Sequence, residues 1–276
     1  MATSGHTERP EHTEPTDGTP DSAPESVSEG VSEGALRYDA FYRGESPLRE
    51  IVGEALTPWD IDAPQPEVVA LERSGQIKGS VLDAGFGTGD NAFFLHRAGY
   101  RVTGFDGSPH AVARAAERAA AEGAGIEFTV ADATALSGPG DPLAGRGFDT
   151  VLDSALYHCL DADLRRGYVE ALHTVCSAGG RLHLLCFSDA AGKPTDAVHY
   201  IDEDELRDVL STDSGWRITT LRRTRYLTAF THTHVERGAR AFGYDAPDTY
   251  LRSEFDGADE HGRLYAPAWL VSAERV

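Results

Sequence analysis

The amino-acid sequence predicts an α/β fold, a mostly parallel sheet covered by helices on both faces. Three observations carry this. Short apolar runs alternate with segments of helical periodicity from about residue 80 to residue 210, the pattern of strand–helix–strand units. The first apolar run, Val81–Ala84, ends in the loop Gly85-Phe86-Gly87-Thr88-Gly89, as expected where a ligand passes close to the backbone at the end of a strand. The second run ends in Asp106, an acidic residue at the same end of the expected sheet.

Along the chain, residues 1–34 come first. They are rich in Glu, Thr, Ser, Pro and Gly, and hold eight acids (Glu8, Glu11, Glu14, Asp17, Asp21, Glu25, Glu29, Glu33) against one base, Arg9. Such a segment buries too little apolar surface to offset its ordering entropy, so a disordered acidic tail is expected. One domain is expected over 35–276. It begins with an N-terminal segment, 35–75, carrying Tyr38, Phe41, Tyr42 and Trp59 among prolines 58, 64 and 66. A helix is expected over Glu67–Gly75, then strand Val81–Ala84 and helix Asn91–Ala98. Strand Arg101–Phe105 and an Ala-rich helix, Pro109–Glu122, follow. Strands Ile126–Ala131 and Phe148–Ser154 come next, then helix Ala162–Val175, strand Arg181–Phe187 and helix Asp202–Leu210. Trp216–Phe230 and Leu264–Ala273 read as two last strands, an antiparallel hairpin interrupted by a Gly- and Asp-rich insertion over 231–262.

Composition narrows the function classes. The net charge of −20 argues against a nucleic-acid partner, since such proteins gather positive charge to meet phosphates. Arg222, Arg223 and Arg225 form a local basic patch that reads as a solvated strand edge. No apolar window approaches the ~18 residues of a membrane span, and the N-terminus lacks the apolar segment of a signal peptide. Cys159, Cys176 and Cys186 have no CxxC spacing and fit buried thiols in a reducing cytoplasm.

The glycine loop lacks the Gly-Lys-Ser/Thr ending of a nucleoside-triphosphate loop. A dinucleotide fingerprint would be GxGxxG; Gly85 and Gly87 fit, but Gly89 comes one residue early. Asp83 and Asp90 flank the loop. Negative charge is a poor neighbour for pyrophosphate and a good one for a cation.

The pattern Asp83-x-Gly85-x-Gly87-x-Gly89 resembles the first motif of class I S-adenosylmethionine (SAM)-dependent methyltransferases, whose Rossmann-like sheet has seven strands and ends in an antiparallel hairpin. Further motifs follow in the family's order: Asp106-Gly107 after the second strand, "VADA" (Val130–Ala133), "FDTVLDSALYHCL" (Phe148–Leu160) and "SAGGRLHLLCFSD" (Ser177–Asp189). The N-terminal "LTPWDIDAPQPEV" (Leu56–Val68) is similar to the Thr-Pro-Trp-Asp segment of thiopurine and halide/thiol methyltransferases. "FYRGESP" and "DSALYH" bring it closer to actinobacterial methyltransferases of benzoquinones and N-heterocycles.

The resemblance implies SAM as cofactor and a small aromatic or heterocyclic substrate in specialised metabolism. It implies that Gly85, Gly87 and Gly89 pass against the methionine moiety. Asp106 and Gly107 would meet the ribose, Asp132 and Ala133 the adenine, and Asp83 and Asp153 the charged amino-acid end. The 35–75 segment would fold over the cofactor as a lid, with Trp59 as a wall and Tyr42 near the sulfonium. His158 is the candidate general base, or else a structural ring beneath the cofactor, and Tyr157 would orient a polar group of the substrate. His232 and His234 are expected on one strand face at the border of the substrate pocket, with no metal expected. A nicotinamide-dependent oxidoreductase and a non-catalytic SAM-binding protein remain the alternative readings.

Overall fold

The computed structural model describes residues 1, 33–136, 138, 140–189, 199–241, 243 and 255–276, and the side chains of residue 1 and from 38 onward. Nearly all of the expected acidic tail, and the insertion's Phe242, Tyr244 and Tyr250, lie outside the described residues.

Helix α5 (Pro109–Glu122) shows how the sequence sets its own limits. The Ser108 side chain accepts from the Ala111 N–H, Pro109 opens the first turn, and Gly123 closes the helix at φ 64°, the cap, proline and left-handed glycine expected at helix ends. Ala111, Ala115 and Ala119, four residues apart, form its buried stripe. Small side chains there let the helix lie close to the sheet.

Seven strands form one sheet: β1 (Ser80–Ala84), β2 (Arg101–Asp106), β3 (Glu127–Val130), β4 (Phe148–Ser154), β5 (Cys176–Phe187), β6 (Trp216–Thr231) and β7 (Arg263–Arg275). Their order is β3-β2-β1-β4-β5-β7-β6. The first five are parallel, and β7 runs antiparallel to both β5 and β6. Strand order reverses between β1 and β4, so the crevice at their carboxyl ends is where an open α/β sheet binds ligands. The expected hairpin is present, and Arg222, Arg223 and Arg225 lie on its outer strand.

Two apolar layers cover the sheet. One packs Leu82, Val151, Leu182 and Leu184 against Tyr168 and Leu172 of α6 (Ala162–Val175) and Leu206 of α7 (Glu203–Val209). The other packs Val81, Val102 and Leu185 against Val68 and Leu71 of α3 (Pro66–Arg73) and Phe93 and Leu95 of α4 (Asp90–Arg97).

Three departures from expectation concern element limits. Strand β5 begins at Cys176, because the Ser177–Gly180 turn sits inside a strand with a register shift, Gly179 taking φ 71°. The start of the insertion is a helix, α8 (His232–Ala241), packed through Val235 and Ala239. His232 and His234 therefore stand on a helix, two residues apart and on different sides, rather than on one strand face. Before the expected α3, the N-terminal segment adds two helices, α1 (Glu33–Tyr42) and the short α2 (Arg49–Val52).

Candidate active site

The strand ends assemble three carboxylates. Asp83 on β1, Asp106 on β2 and Asp153 on β4 stand at the carboxyl ends of three neighbouring strands. Asp83 and Asp153 are buried; Asp106 is mostly so. Asp106 accepts from the backbone N–H of Gly87 (2.9 Å) and of Ser108 (2.8 Å), which ties the glycine loop to the turn after β2. Asp153 accepts from Leu156 N–H (2.9 Å) and the Tyr168 hydroxyl (2.8 Å). Asp83 Oδ2 is sealed from solvent with no hydrogen-bond partner among the described residues.

Burial, and then the neighbouring carboxylates Asp153 and Asp106, push Asp83 up to about 8. Burial pushes Asp153 up to about 7 against its hydrogen bonds, and Asp106 up to about 6 against the N–H groups of Ser108 and Gly87. Three acids raised together, one with an unpartnered oxygen, form a site built for positive charge. Asp90 does not join them: Arg118 bonds it at 2.7 Å, so its charge is already met. That corrects the expectation that Asp90 offers a charge to the ligand.

Gly85 and Gly87 have φ 65° and 59°, where side chains are strained. A β-carbon at Gly85 would stand 2.8 Å from Leu156 Cβ, and one at Gly87 would stand 2.8 Å from Tyr42 Oη. The loop is thus pressed from both sides. Gly89 caps α4. Gly107 adds a backbone N–H to Asp106. Ala131 N–H bonds Asp106 O, which brings the β3 end beside β2; there Asp132 turns back on the Thr134 N–H and hydroxyl at 2.8 Å each, and Ala133 packs on the core.

The N-terminal segment lies over this crevice. Trp59 Nε1 donates to Tyr42 Oη (2.9 Å), and Trp59 meets Tyr38 and Phe41 edge-on at 5.6 and 4.9 Å. Two anchors missed in the sequence hold the segment down. Asp39 accepts from the Ser108 hydroxyl and from His110 at the start of α5; burial alone would raise its pKa, but these bonds outweigh it and leave it lowered. Gln65 pairs with both backbone groups of Leu227 on β6 (2.9 and 3.2 Å), as a strand neighbour would. An acid one turn before the "FY" pair and a glutamine flanked by two prolines were the available signals.

Tyr226, next to Leu227, is the third missed residue. Its buried ring lies beside Ser154 and Gln65. The aromatic row continues through Phe187, edge-on to Tyr226 at 5.5 Å, to His158, stacked on Phe187 at 4.2 Å.

Both catalytic candidates are engaged by other residues of the protein. The Tyr157 hydroxyl donates to Glu205 (2.9 Å), which Arg165 also holds through both oxygens (2.9 and 3.0 Å), so it is committed behind the site rather than offered to a substrate. His158 Nδ1 accepts from the Phe187 N–H (3.2 Å), so the ring hydrogen resides on Nε2. Burial, then Arg165 and His199, lower its pKa to about 3. The Phe187 contact uses the ring's lone pair on Nδ1 and leaves the hydrogen of the neutral ring on Nε2. His234 contacts Glu54 at 2.6 Å, His199 pairs with Asp161, and no three metal-ligating side chains converge among the described residues.

A family profile described as a methyltransferase domain matches residues 81–180. The 2-heptyl-1-hydroxyquinolin-4(1H)-one methyltransferase of Mycobacteroides abscessus is 32% identical over 240 residues, 86% of this chain and 96% of its own. A structure from work on the conversion of a disulfide bond into a thioacetal group during echinomycin biosynthesis superposes with TM-score 0.66 and 36% identity, over 87% of this chain and 92% of that one. A SAM-dependent methyltransferase of Anabaena variabilis shares the fold at TM-score 0.61 and 12% identity, over 92% of this chain and 100% of that one.

Proposed function

Because this chain belongs to the class I SAM-dependent methyltransferases, we propose that it methylates a small, planar heteroaromatic metabolite bearing a ring hydroxyl. The similarity to a hydroxyquinolinone methyltransferase over 96% of that protein's length carries this reading. The row His158–Phe187–Tyr226 supports it, since flat aromatic walls with few polar anchors suit flat ligands.

The residues fit the cofactor. Its sulfonium and amino group are the positive charges that Asp83, Asp106 and Asp153 lack, and its ribose offers donors to the remaining lone pairs of Asp106. Asp132 and Ala133 would border the adenine, and Tyr42 and Trp59 would close the pocket with aromatic faces, which attract a cation. When bound, SAM supplies a methyl group already activated by the sulfonium. The chain's own task is then to exclude water and align the acceptor. The lid anchored by Asp39 and Gln65 would do the first, and the aromatic row the second.

The test is incubation with labelled SAM and a panel of hydroxyquinolines, phenols, indoles, thiols and quinones. Label transferred to hydroxylated heteroaromatics above the other classes is the expected result. Tight SAM binding with no acceptor methylated would overturn the reading.

A further inference from the structure

The His158 ring is fixed in three ways. It stacks on Phe187 with planes 14° apart, it is 4% exposed, and its Nδ1 accepts the Phe187 backbone N–H. In a catalytic triad a carboxylate accepts Nδ1–H and leaves Nε2 a lone pair with which to take a proton. Here the sense is reversed. A main-chain N–H, which cannot give up its role, fills Nδ1, and Nε2 carries the hydrogen.

The charged groups around the ring point the same way. From α6, Arg165 presents a guanidinium whose Nη1 and Nε are bound by Glu205 and Leu160 O, while Nη2 is buried with no partner among the described residues. From the segment before α7 comes His199, paired with Asp161. From β5 comes only the Phe187 ring and N–H. Among the described residues no carboxylate bonds the imidazole, and the two groups that face it, Arg165 and His199, are themselves paired with Glu205 and Asp161. Burial, with no carboxylate bonded to the ring among the described residues, disfavours an imidazolium.

We infer that His158 binds the acceptor as a fixed Nε2–H donor, and that the enzyme's substrates are ring hydroxyls acidic enough to arrive ionised. This rests on the methyltransferase reading above and deepens it to a substrate class: hydroxyls on electron-poor rings or on ring nitrogen, rather than alcohols that need a base. The step balances without a protein base. The proton leaves to solvent when the hydroxyl ionises. The oxygen lone pair then forms the new C–O bond as the carbon–sulfur bond breaks, its electron pair remaining on sulfur, so an anion and a sulfonium become a neutral ether and a neutral thioether. Each unit of acidity raises the ionised fraction about tenfold until the acceptor's pKa falls below the working pH.

The experiment measures kcat/KM against pH for hydroxylated heteroaromatics of graded acidity, with wild-type, H158Q and H158F enzymes and SAM affinity measured alongside. The expected midpoint of the wild-type profile moves with the acceptor's own pKa, about one pH unit per unit of acidity. H158F raises the acceptor KM about tenfold or more with SAM affinity unchanged, and H158Q, whose amide N–H can reach the Nε2 position, recovers most of that loss. A midpoint that stays at one pH for every acceptor and disappears in H158Q would identify a base and overturn the inference. Should both variants lose SAM binding, the wild-type series decides alone. Wild-type enzyme that binds SAM and methylates none of the series overturns the proposed function, and the inference with it.

Discussion

Trp59 donates its indole N–H to the hydroxyl of Tyr42, and that hydroxyl lies against the α-carbon of Gly87. The lid and the glycine loop are therefore one piece of structure. Loss of the Trp59 ring should open the pocket more than loss of its hydrogen bond. Trp59→Phe should weaken SAM by about 0.5–1.5 kcal/mol, the net worth of a hydrogen bond, and Trp59→Ala by more. Calorimetric titration of both variants checks this; equal and negligible losses would detach the lid from cofactor binding.

Gly87→Ala tests the same contact from the other side. A left-handed alanine costs about 1–2 kcal/mol, and its β-carbon would stand 2.8 Å from Tyr42 Oη. The variant should melt lower and bind SAM more weakly. Y42F with Gly87→Ala should recover part of the loss, since the clashing oxygen is gone. Thermal melts and titrations of the single and double variants measure that coupling.

Asp39 fastens the lid from beneath. Asp39→Ala removes an acceptor shared by Ser108 and His110 and leaves the buried Ser108 hydroxyl unpaired, at about 1–3 kcal/mol. In a domain of this size each kcal/mol moves the melting temperature by about 2–4 °C. A melt unchanged within 1 °C or so would mean that α1 contributes nothing to the folded state.

Much of this was legible in the sequence, and the limits have physical causes. The bounds of α5, α6 and β4 match expectation, because Ser108, Pro109 and Gly123 are local signals and α6 has a clear apolar stripe. The carboxylates at the strand ends were legible because glycine spacing and strand position place them. Helix α8 was not: "HTHVERGARA" buries only Val235 and Ala239, too little for a visible period. The roles of His158 and Tyr157 were not legible either, because they depend on Phe187 and Glu205, which are remote in sequence. A histidine beside a reaction centre reads as a base until the partner of Nδ1 is known. The nicotinamide alternative rested on Asp106 alone, and full-length similarity to a methyltransferase displaces it.

The carboxylate cluster predicts a proton linkage. Asp83, Asp153 and Asp106 sit at about 8, 7 and 6, all above the 3.8 of a free side chain. The folded protein keeps protons that the unfolded chain has released, so the stability from these groups is full below about pH 4 and is lost as pH rises through about 6 to 8. A bound sulfonium and ammonium favour the ionised acids, so SAM binding should release protons and tighten across that window. S-adenosylhomocysteine, without the sulfonium, should release fewer. Calorimetry in two buffers of different ionisation enthalpy counts the protons; an affinity flat in pH, with no proton release, would contradict the linkage.

Asp106 joins the glycine loop to the turn after β2 and would take the ribose hydroxyls. SAM titrated into wild-type protein and Asp106→Asn is the decisive measurement, with a melt of each to show that the fold persists. Asparagine keeps one acceptor and loses the charge, so affinity should fall by about 1.5–3 kcal/mol, roughly ten- to a hundredfold, and the one backbone N–H left facing the amide group should lower the melting temperature by only a few degrees. Equal SAM affinity in the two proteins, both folded, would contradict a cofactor site built on Asp106.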